Sequence, residues 1–463
     1  MDNKVGFYFT TDSGNRYFYD DNNGSVTLTD SHDDIDFIYD ENSEVDNEFN
    51  VDADEIDTYL KYNGYNQMML VVTEKCNLRC KYCIYSGNYD NQREHGINIM
   101  SFETAKRAID MFYETQKIKI KNNALHLPLL GFYGGEPLMN FKLVKECVDY
   151  ARELFDNNIN FLATTNGTIM NEEIADFLIN NNFALSVSLN GNKKENDRLR
   201  VFCDGSGTFE TIMKNISFLR ERNFDYFKKN VKFIGCYDWK SDLDSINDFC
   251  KQNEYDIPEI VKISMVNDTF TDWYKQFTDQ EKKEFFAYKK EIQKKITDNL
   301  KNGRPLEPIE RLLYADSIME VVNRIVNIPV SQIRPSFSPI SGTCIPGTKL
   351  CVAPDGKIHS CEKINNTRPI GNVYDGVDMQ AIADMLTAYY KKLAPVCSKC
   401  PVKRLCPICF TSCLGDDGEF TRSQIKNCEQ VRKSMREKFT FVFNLLEAGI
   451  SEEQLLDINK RGK

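Results

Sequence analysis

Basic charge is scarce where nucleic-acid binding would need it. The 463-residue chain carries 58 Lys and Arg against 69 Asp and Glu, a formal charge of −11, and has no Lys or Arg between Arg16 and Lys61. No Lys/Arg stripe interleaved with aromatics compensates, and an acidic surface repels phosphate backbones, so a nucleic-acid partner is excluded. A run of ~18 apolar residues is also lacking, which argues against a membrane-spanning helix. The opening segment MDNKVGFYFTTDSGNRYFYDD lacks the basic and apolar regions of a secretory signal. The expected location is therefore cytoplasmic, with no membrane association.

Cysteine is abundant instead. Sixteen cysteines in a reducing compartment, where structural disulfides are rare, point to metal or cluster ligation. Cys76, Cys80 and Cys83 crowd one turn, and nine more, from Cys344 to Cys428, crowd the last third. Cys147, Cys203, Cys236 and Cys250 stand apart and read as small buried hydrophobes.

Length predicts two or three domains, and patterning divides the chain into three zones, 1–66, 67–335 and 336–463. In the first, GFYFTT, RYFYDD and SVTLTD are separated by turn signals and predict a small antiparallel sheet. Twelve carboxylates between Asp33 and Asp57 read as a solvated linker or as a docking element for a basic peptide. In the second zone, QMMLVVTE, LHLPLLGFYGG, INFLATTNG, ALSVSLNG, VKFIGCYD and EIVKISMVN predict strands, the first five each followed by a helix-length segment. Ser101, Asn171 and Thr208 supply cap signals. Repeated β-α units imply a parallel sheet with right-handed crossovers. The fold class is thus α/β, a partial (β/α)6 barrel whose chemistry lies at the strands' C-terminal ends. Residues 270–335 read as connecting helices. The third zone, rich in Cys, Gly and Pro until a helix near 426–447, predicts a domain held by metal ligation rather than by apolar burial.

The strongest motif is Cys76-Asn-Leu-Arg-Cys80-Lys-Tyr-Cys83, directly after the first predicted strand. Three thiolates at this spacing can wrap one face of a cubane and leave its fourth iron open to substrate. A zinc site would want a fourth Cys or His, and the His nearby, His95, lies in a polar loop. This motif, with an aromatic before its last Cys and with Gly134-Gly135-Glu136-Pro137 after the second strand, resembles the radical S-adenosylmethionine (SAM) superfamily over residues 67–267 or so.

That resemblance implies a [4Fe-4S] cluster on Cys76, Cys80 and Cys83 and SAM as cofactors. The open iron would chelate the amino and carboxylate groups of SAM, whose reductive cleavage gives a 5′-deoxyadenosyl radical. Gly134 and Gly135 would let the backbone approach the ligand, and Glu136 would accept from its ammonium group. Thr165, Asn166, Ser188 and Asn190, at the ends of the third and fourth strands, would hold the ribose and methionyl ends. The family often has Asp where this chain has Asn190. Asp197 and Arg200 resemble its D-x-x-R segment, with Arg200 taking the methionyl carboxylate in bidentate fashion.

The C-terminal pattern resembles a SPASM domain, which carries two auxiliary [4Fe-4S] clusters. By that analogy Cys397, Cys400, Cys406 and Cys428 form a distal cluster, and Cys344, Cys361 and Cys413 a nearer one, completed by Cys351 or Cys409. Phe410 departs from the family's usual spacing. Paired zinc ribbons are the alternative, since thiolates alone do not distinguish metals. The resemblance extends to maturases of ribosomally made peptides that form thioether cross-links, with the N-terminal sheet as a leader-recognition element. Oxidation of Cys or Ser to formylglycine, as in anaerobic sulfatase maturases, is the second reading, and a non-catalytic iron–sulfur electron-transfer or binding protein the third. The expected partners are a precursor peptide or protein and a low-potential electron donor such as flavodoxin or ferredoxin.

Overall fold

A computed structural model describes residues 4–30, 35–90, 92–122, 127–327, 344–422 and 425–458. The start of the expected second strand (125–126), the end of the connecting helices (328–335) and the first part of the third zone (336–343) lie outside the described residues.

The three predicted N-terminal strands form as β1 (Gly6–Thr10), β2 (Arg16–Asp20) and β3 (Val26–Leu28). A fourth, β4 (Phe37–Ile38), comes from the acidic stretch and pairs with β1, giving the antiparallel order β3-β2-β1-β4. The same stretch also yields helix α1 (Ala53–Asn63), so the linker expectation is corrected. Asp52 caps α1 by accepting from the Asp54 amide, and Asp54 and Glu55 sit in its first turn. Carboxylates there favour the positive end of the helix dipole, so the charge builds structure.

All six predicted core strands are present: β5 (Gln67–Thr73), β6 (Leu129–Gly134), β7 (Asn160–Thr165), β8 (Ala184–Ser188), β9 (Val231–Tyr237) and β10 (Ile260–Met265). Between them run α2 (Phe102–Asn122), α3 (Phe141–Leu154), α4 (Glu172–Asn180), α5 (Lys193–Leu199), α6 (Phe209–Arg222), α7 (Phe224–Asn230) and α8 (Leu243–Gln252). Neighbouring core strands pair in parallel. The near-continuous apolar sequence of β5 follows from burial on both faces, whereas β10, at the sheet edge, has no buried residue. In β5, Met68, Leu70 and Val72 pack under the helices, while Met69 and Val71 face inward. Ser101 accepts from the Thr104 amide and Asn171 from the Ile174 amide, as predicted. Thr208 does not cap α6. The Asp197 carboxylate accepts from the amides of Thr208 and Phe209, both at 2.8 Å, and serves as that cap.

The connecting helices are α9 (Asp279–Lys301) and α10 (Pro308–Asn327). Beyond them the structure departs from expectation. Strand β11 (Lys349–Val352) pairs parallel to β5, and β12 (Ile358–His359) continues antiparallel, so the central sheet runs β10-β9-β8-β7-β6-β5-β11-β12. A short hairpin, β13 (Gly371–Asn372) and β14 (Gly376–Val377), leads into α11 (Met379–Cys397). This helix buries Ile382, Met385, Tyr389 and Leu393 at helical spacing in the main core. The cysteine-rich region is therefore anchored by apolar burial as well.

The last helices are α12 (Ile425–Glu447) and α13 (Glu452–Leu456). Phe439 of α12 packs edge-on against Phe7 at 5.3 Å and close to Phe9 and Tyr19. The N-terminal sheet thus shares a second core with α9, α10, α12 and α13. Among the described residues no helix is long and apolar enough to cross a membrane.

Candidate active site

The Cys76–Cys83 loop leaves the C-terminal end of β5 and lies against the loop after β6. The Gly135 amide donates to Thr73 O at 2.9 Å and the Glu136 amide to Lys75 O at 2.8 Å. A Cβ on Gly134, where φ is +148°, would sit 2.0 Å from Thr73 O, and one on Gly135 would sit 2.2 Å from Lys75 O. These glycines allow the loop after β6 to approach the end of β5 and the start of the cysteine loop.

Glu136 is fully buried. Its carboxylate accepts from the Leu138 amide (3.1 Å), the Thr165 hydroxyl (2.8 Å) and the Asn166 amide (2.6 Å). Burial lifts its pKa, and these donors hold it back. Rather than presenting an open acceptor, Glu136 ties the ends of β6 and β7 together. Thr165 is used up in that tie, since its oxygen also accepts from the Gly167 amide. Asn166 turns to the cysteine loop, donating to Asn77 Oδ1 at 2.8 Å and approaching Cys76 Sγ at 3.9 Å.

A second group gathers beside Cys80. Arg200 Nη1 donates to the Tyr82 hydroxyl at 2.9 Å, and that hydroxyl donates to Asn190 Oδ1 at 3.0 Å. Asn190 Oδ1 also accepts from the Cys236 amide at 3.0 Å. Burial opposes the Arg200 charge, but Cys80 and Tyr82 more than offset it, and the pKa rises. Arg200 Nε and Asn190 Nδ2 are buried without a partner. Native proteins rarely leave such donors unmet, so these two mark a place for a polar ligand. The side chain of Ser188, half-buried at the end of β8, makes no hydrogen bond among the described residues.

Sequence reasoning missed two members of this group. The Tyr82 hydroxyl is its hub, and Cys236 lies next to Tyr82, Arg200 and Cys80. Alternation along β9 was the available signal, since it turns Lys232, Ile234 and Cys236 to one face. Of the remaining isolated cysteines, Cys147 and Cys250 are buried as expected. Cys203 is exposed, its thiol against Asn77 O at 3.3 Å.

Several cysteines share one local geometry, in which the amide two residues onward points at the sulfur. Leu78 donates to Cys76 at 3.4 Å and Lys363 to Cys361 at 3.3 Å. Tyr85, Val402 and Ile408 do the same for Cys83, Cys400 and Cys406. Such N–H···S bonds stabilise thiolates and tune iron–sulfur centres. Burial pushes Cys76 up to about 12 and Cys83 to about 11, with Arg200 and Arg79 partly holding Cys83 back.

Cys397, Cys400, Cys406 and Cys428 lie close enough to raise one another's pKa values. Cys413 feels Cys428, Cys406 and Cys409. Cys413 thus neighbours members of the expected distal set. Cys361 neighbours Cys351, which sits inward on β11 against Met69 and Val71. Cys344 is exposed. The Cys409 sulfur accepts from the Thr411 hydroxyl at 3.2 Å. Among the described residues no three Cys, His, Asp or Glu side chains close on a single-ion site.

Residues 70–236 match the radical SAM superfamily. The chain carries a radical SAM domain. It is 31% identical over 236 residues to a cysteine-type anaerobic sulfatase-maturating enzyme of Clostridium novyi, covering 45% of this chain and 59% of that protein. It is 28% identical over 183 residues to the radical SAM cyclopropyl synthase TigE of Paramaledivibacter caminithermalis, covering 35% of this chain and 37% of that one. The chain thus spans less than two thirds of the length of either relative. In three dimensions it resembles native anSMEcpe with bound AdoMet and Cp18Cys peptide, with a TM-score of 0.56 and 18% identity over 82% of this chain and 98% of that one, a likeness of fold.

The cofactors of a radical SAM domain are SAM and a [4Fe-4S] cluster, and the residues present fit them. Cys76, Cys80 and Cys83 offer three sulfurs from one loop. Arg200 Nε and Asn190 Nδ2 are unmet donors beside it, suited to carboxylate and hydroxyl oxygens.

Proposed function

We propose that this chain is a radical SAM enzyme that modifies a peptide or protein. The observation that carries the reading is the pair of unmet donors on Arg200 and Asn190 beside Cys80, which a cluster used only for electron transfer does not need. When bound, the cluster and SAM together supply a 5′-deoxyadenosyl radical that abstracts hydrogen from substrate. The chain's own groups then have distinct work. Glu136 holds the strand ends in register, Asn166 and Asn77 brace the cysteine loop, and Tyr82 orients Arg200 toward a carboxylate and Asn190 toward a hydroxyl. The C-terminal cysteines would carry SPASM-like auxiliary clusters, with Cys397, Cys400, Cys406 and Cys428 on one. A low-potential donor such as flavodoxin or ferredoxin would supply the electron, in the cytoplasm.

Two outcomes for the substrate compete on equal terms. Thioether cross-linking of a ribosomally made peptide suits an N-terminal sheet available for leader recognition. Formylglycine formation suits the similarity to a cysteine-type sulfatase maturase. They part at sulfur, because a thioether keeps it and loses two hydrogens, whereas formylglycine made from cysteine loses the sulfur.

The test is Cys80→Ala in reconstituted protein. Iron content should fall by about one cubane and 5′-deoxyadenosine should vanish, while auxiliary-cluster absorbance remains. A variant that still makes 5′-deoxyadenosine would sink the reading. Mass spectrometry of the wild-type product, scored for sulfur, then separates the two outcomes.

A further inference from the structure

Three hollows follow one another along α9. The largest, about 1200 Å³, lies between α9, the β1–β2 hairpin and α12. A second, about 570 Å³, shares Phe286 and Lys290 with it. A third, about 720 Å³, opens beside Lys81 of the cysteine loop and is walled by Trp273 and Phe277, just before α9 begins. Trp239 bridges the second and third, with its ring 6.3 Å from Phe286 and 5.9 Å from Phe277.

Of the residues α9 turns to the first hollow, Phe286, Lys290, Lys294, Thr297 and Lys301 follow the spacing of a single helical face. Phe286 is 41% exposed. Among the described residues the side chains of Lys290, Lys294 and Lys301 make no ion pair or hydrogen bond, whereas Lys295, off the groove, pairs with Glu291. Lys289 stands nearby over the Tyr314 ring. On the opposite wall two carboxylates are already engaged, Asp36 by Arg436 and Glu447 by Ser13, Asn15 and Tyr17. Asp12 and Glu437 are the remaining acids of the groove. In a chain of net charge −11, a row of unpaired lysines over an apolar floor inverts the general field and favours an anionic, partly apolar ligand.

We propose that this lysine face of α9 is a docking track for an acidic segment of the peptide substrate. The inference rests on the peptide-modifying function proposed above and names where such a substrate is held. Twenty-three helical residues span about 35 Å at 1.5 Å each. An extended peptide at ~3.3 Å per residue crosses that length in roughly ten residues. Lys290 and Lys301 lie about 16 and 33 Å from the start of α9, so the residue to be modified, at the barrel mouth, lies roughly five to ten positions from the acidic segment.

The test uses full-length reconstituted protein and two fluorescein-labelled peptides, one with Glu at every third or fourth position between Leu and Phe, the other with Lys in place of each Glu. Wild type should bind the acidic peptide at least about tenfold more tightly, with affinity falling as salt rises. The triple variant Lys290→Glu, Lys294→Glu, Lys301→Glu should lose that preference while peptide-free cleavage of SAM is unchanged. If the triple variant misfolds by circular dichroism, Lys294→Glu alone should still weaken acidic-peptide binding several-fold. Equal binding of the two peptides by wild type, unchanged binding by a folded variant, or tighter binding of a single-stranded oligonucleotide of matched charge would overturn the docking track. Absence of 5′-deoxyadenosine from wild type would instead overturn the enzymatic reading, and the anisotropy measurement stands apart from it.

Discussion

At the scale of single residues, the site is organised by groups that never need to touch a ligand. Gly135 shows how little room there is: a methyl would lie 2.2 Å from Lys75 O, inside any van der Waals limit, so the cysteine loop must move. Gly135→Ala should retain native circular dichroism and auxiliary-cluster absorbance yet lose about one cubane of iron, read by iron analysis. Glu136 makes the complementary case. Glu136→Gln keeps the shape but turns an amide NH2 toward the Leu138 or the Asn166 amide, setting donor against donor. Losing a charge-assisted bond in a buried site costs about 1.5–3 kcal/mol, which urea unfolding should register as a lower midpoint. A midpoint equal to wild type would mean the tie between β6 and β7 is not needed.

At the scale of elements, the attachment of β1 and β2 to α12 is both apolar and polar. Burial raises the Glu447 carboxyl, but bonds from Ser13, Asn15 and Tyr17 outweigh it and hold its pKa below 4.5. A depressed carboxyl contributes stability that is present above its unfolded pKa and is lost as pH falls through the folded value. Hydrogen-exchange protection of the β1–β2 amides should therefore fall as pH drops below 4.5, and Glu447→Gln should flatten that dependence. The aromatic contacts carry more. Phe439→Ala empties the space between Phe7, Phe9 and Tyr19, and Phe→Ala in a core costs about 3–5 kcal/mol. Differential scanning calorimetry should show the loss.

At the scale of the whole molecule, the N-terminal sheet is part of a core rather than an appendage. Deleting residues 1–60 would remove Phe7, Phe9 and Tyr19 from the core shared with α12, and Leu60 from the core shared with the barrel. At about 1.5–3 kcal/mol per buried large side chain, four such losses rival the 5–15 kcal/mol that holds a typical domain together. The truncated chain should lose cooperative unfolding. A soluble truncation with an unchanged melting curve would show that the sheet is dispensable. Charge changes on the surface of α9 are for this reason the sounder probe of substrate docking.

Much of the architecture was legible in the sequence because it rests on local periodicity. Short apolar runs alternating with amphipathic segments specified β5 to β10 and their parallel order, and Cys76, Cys80 and Cys83 within one turn specified the chemistry. What the sequence could not convey depends on contacts between distant segments. Strand β11 is four residues long, too short for a periodic signal, and only pairing with β5 makes it part of the sheet. The acidic stretch looked like a linker because its carboxylates hide a capped helix and a two-residue strand. Tyr82, Asn190, Arg200 and Cys236 come from four separate stretches of chain, and no spacing rule joins them. The tilt and register of β5, β8 and β9 bring them to one place, and those are set by packing across the whole sheet. Residue types and local order were thus determined by the sequence itself, whereas the unmet donors that define the site arise only when tertiary packing buries them away from water.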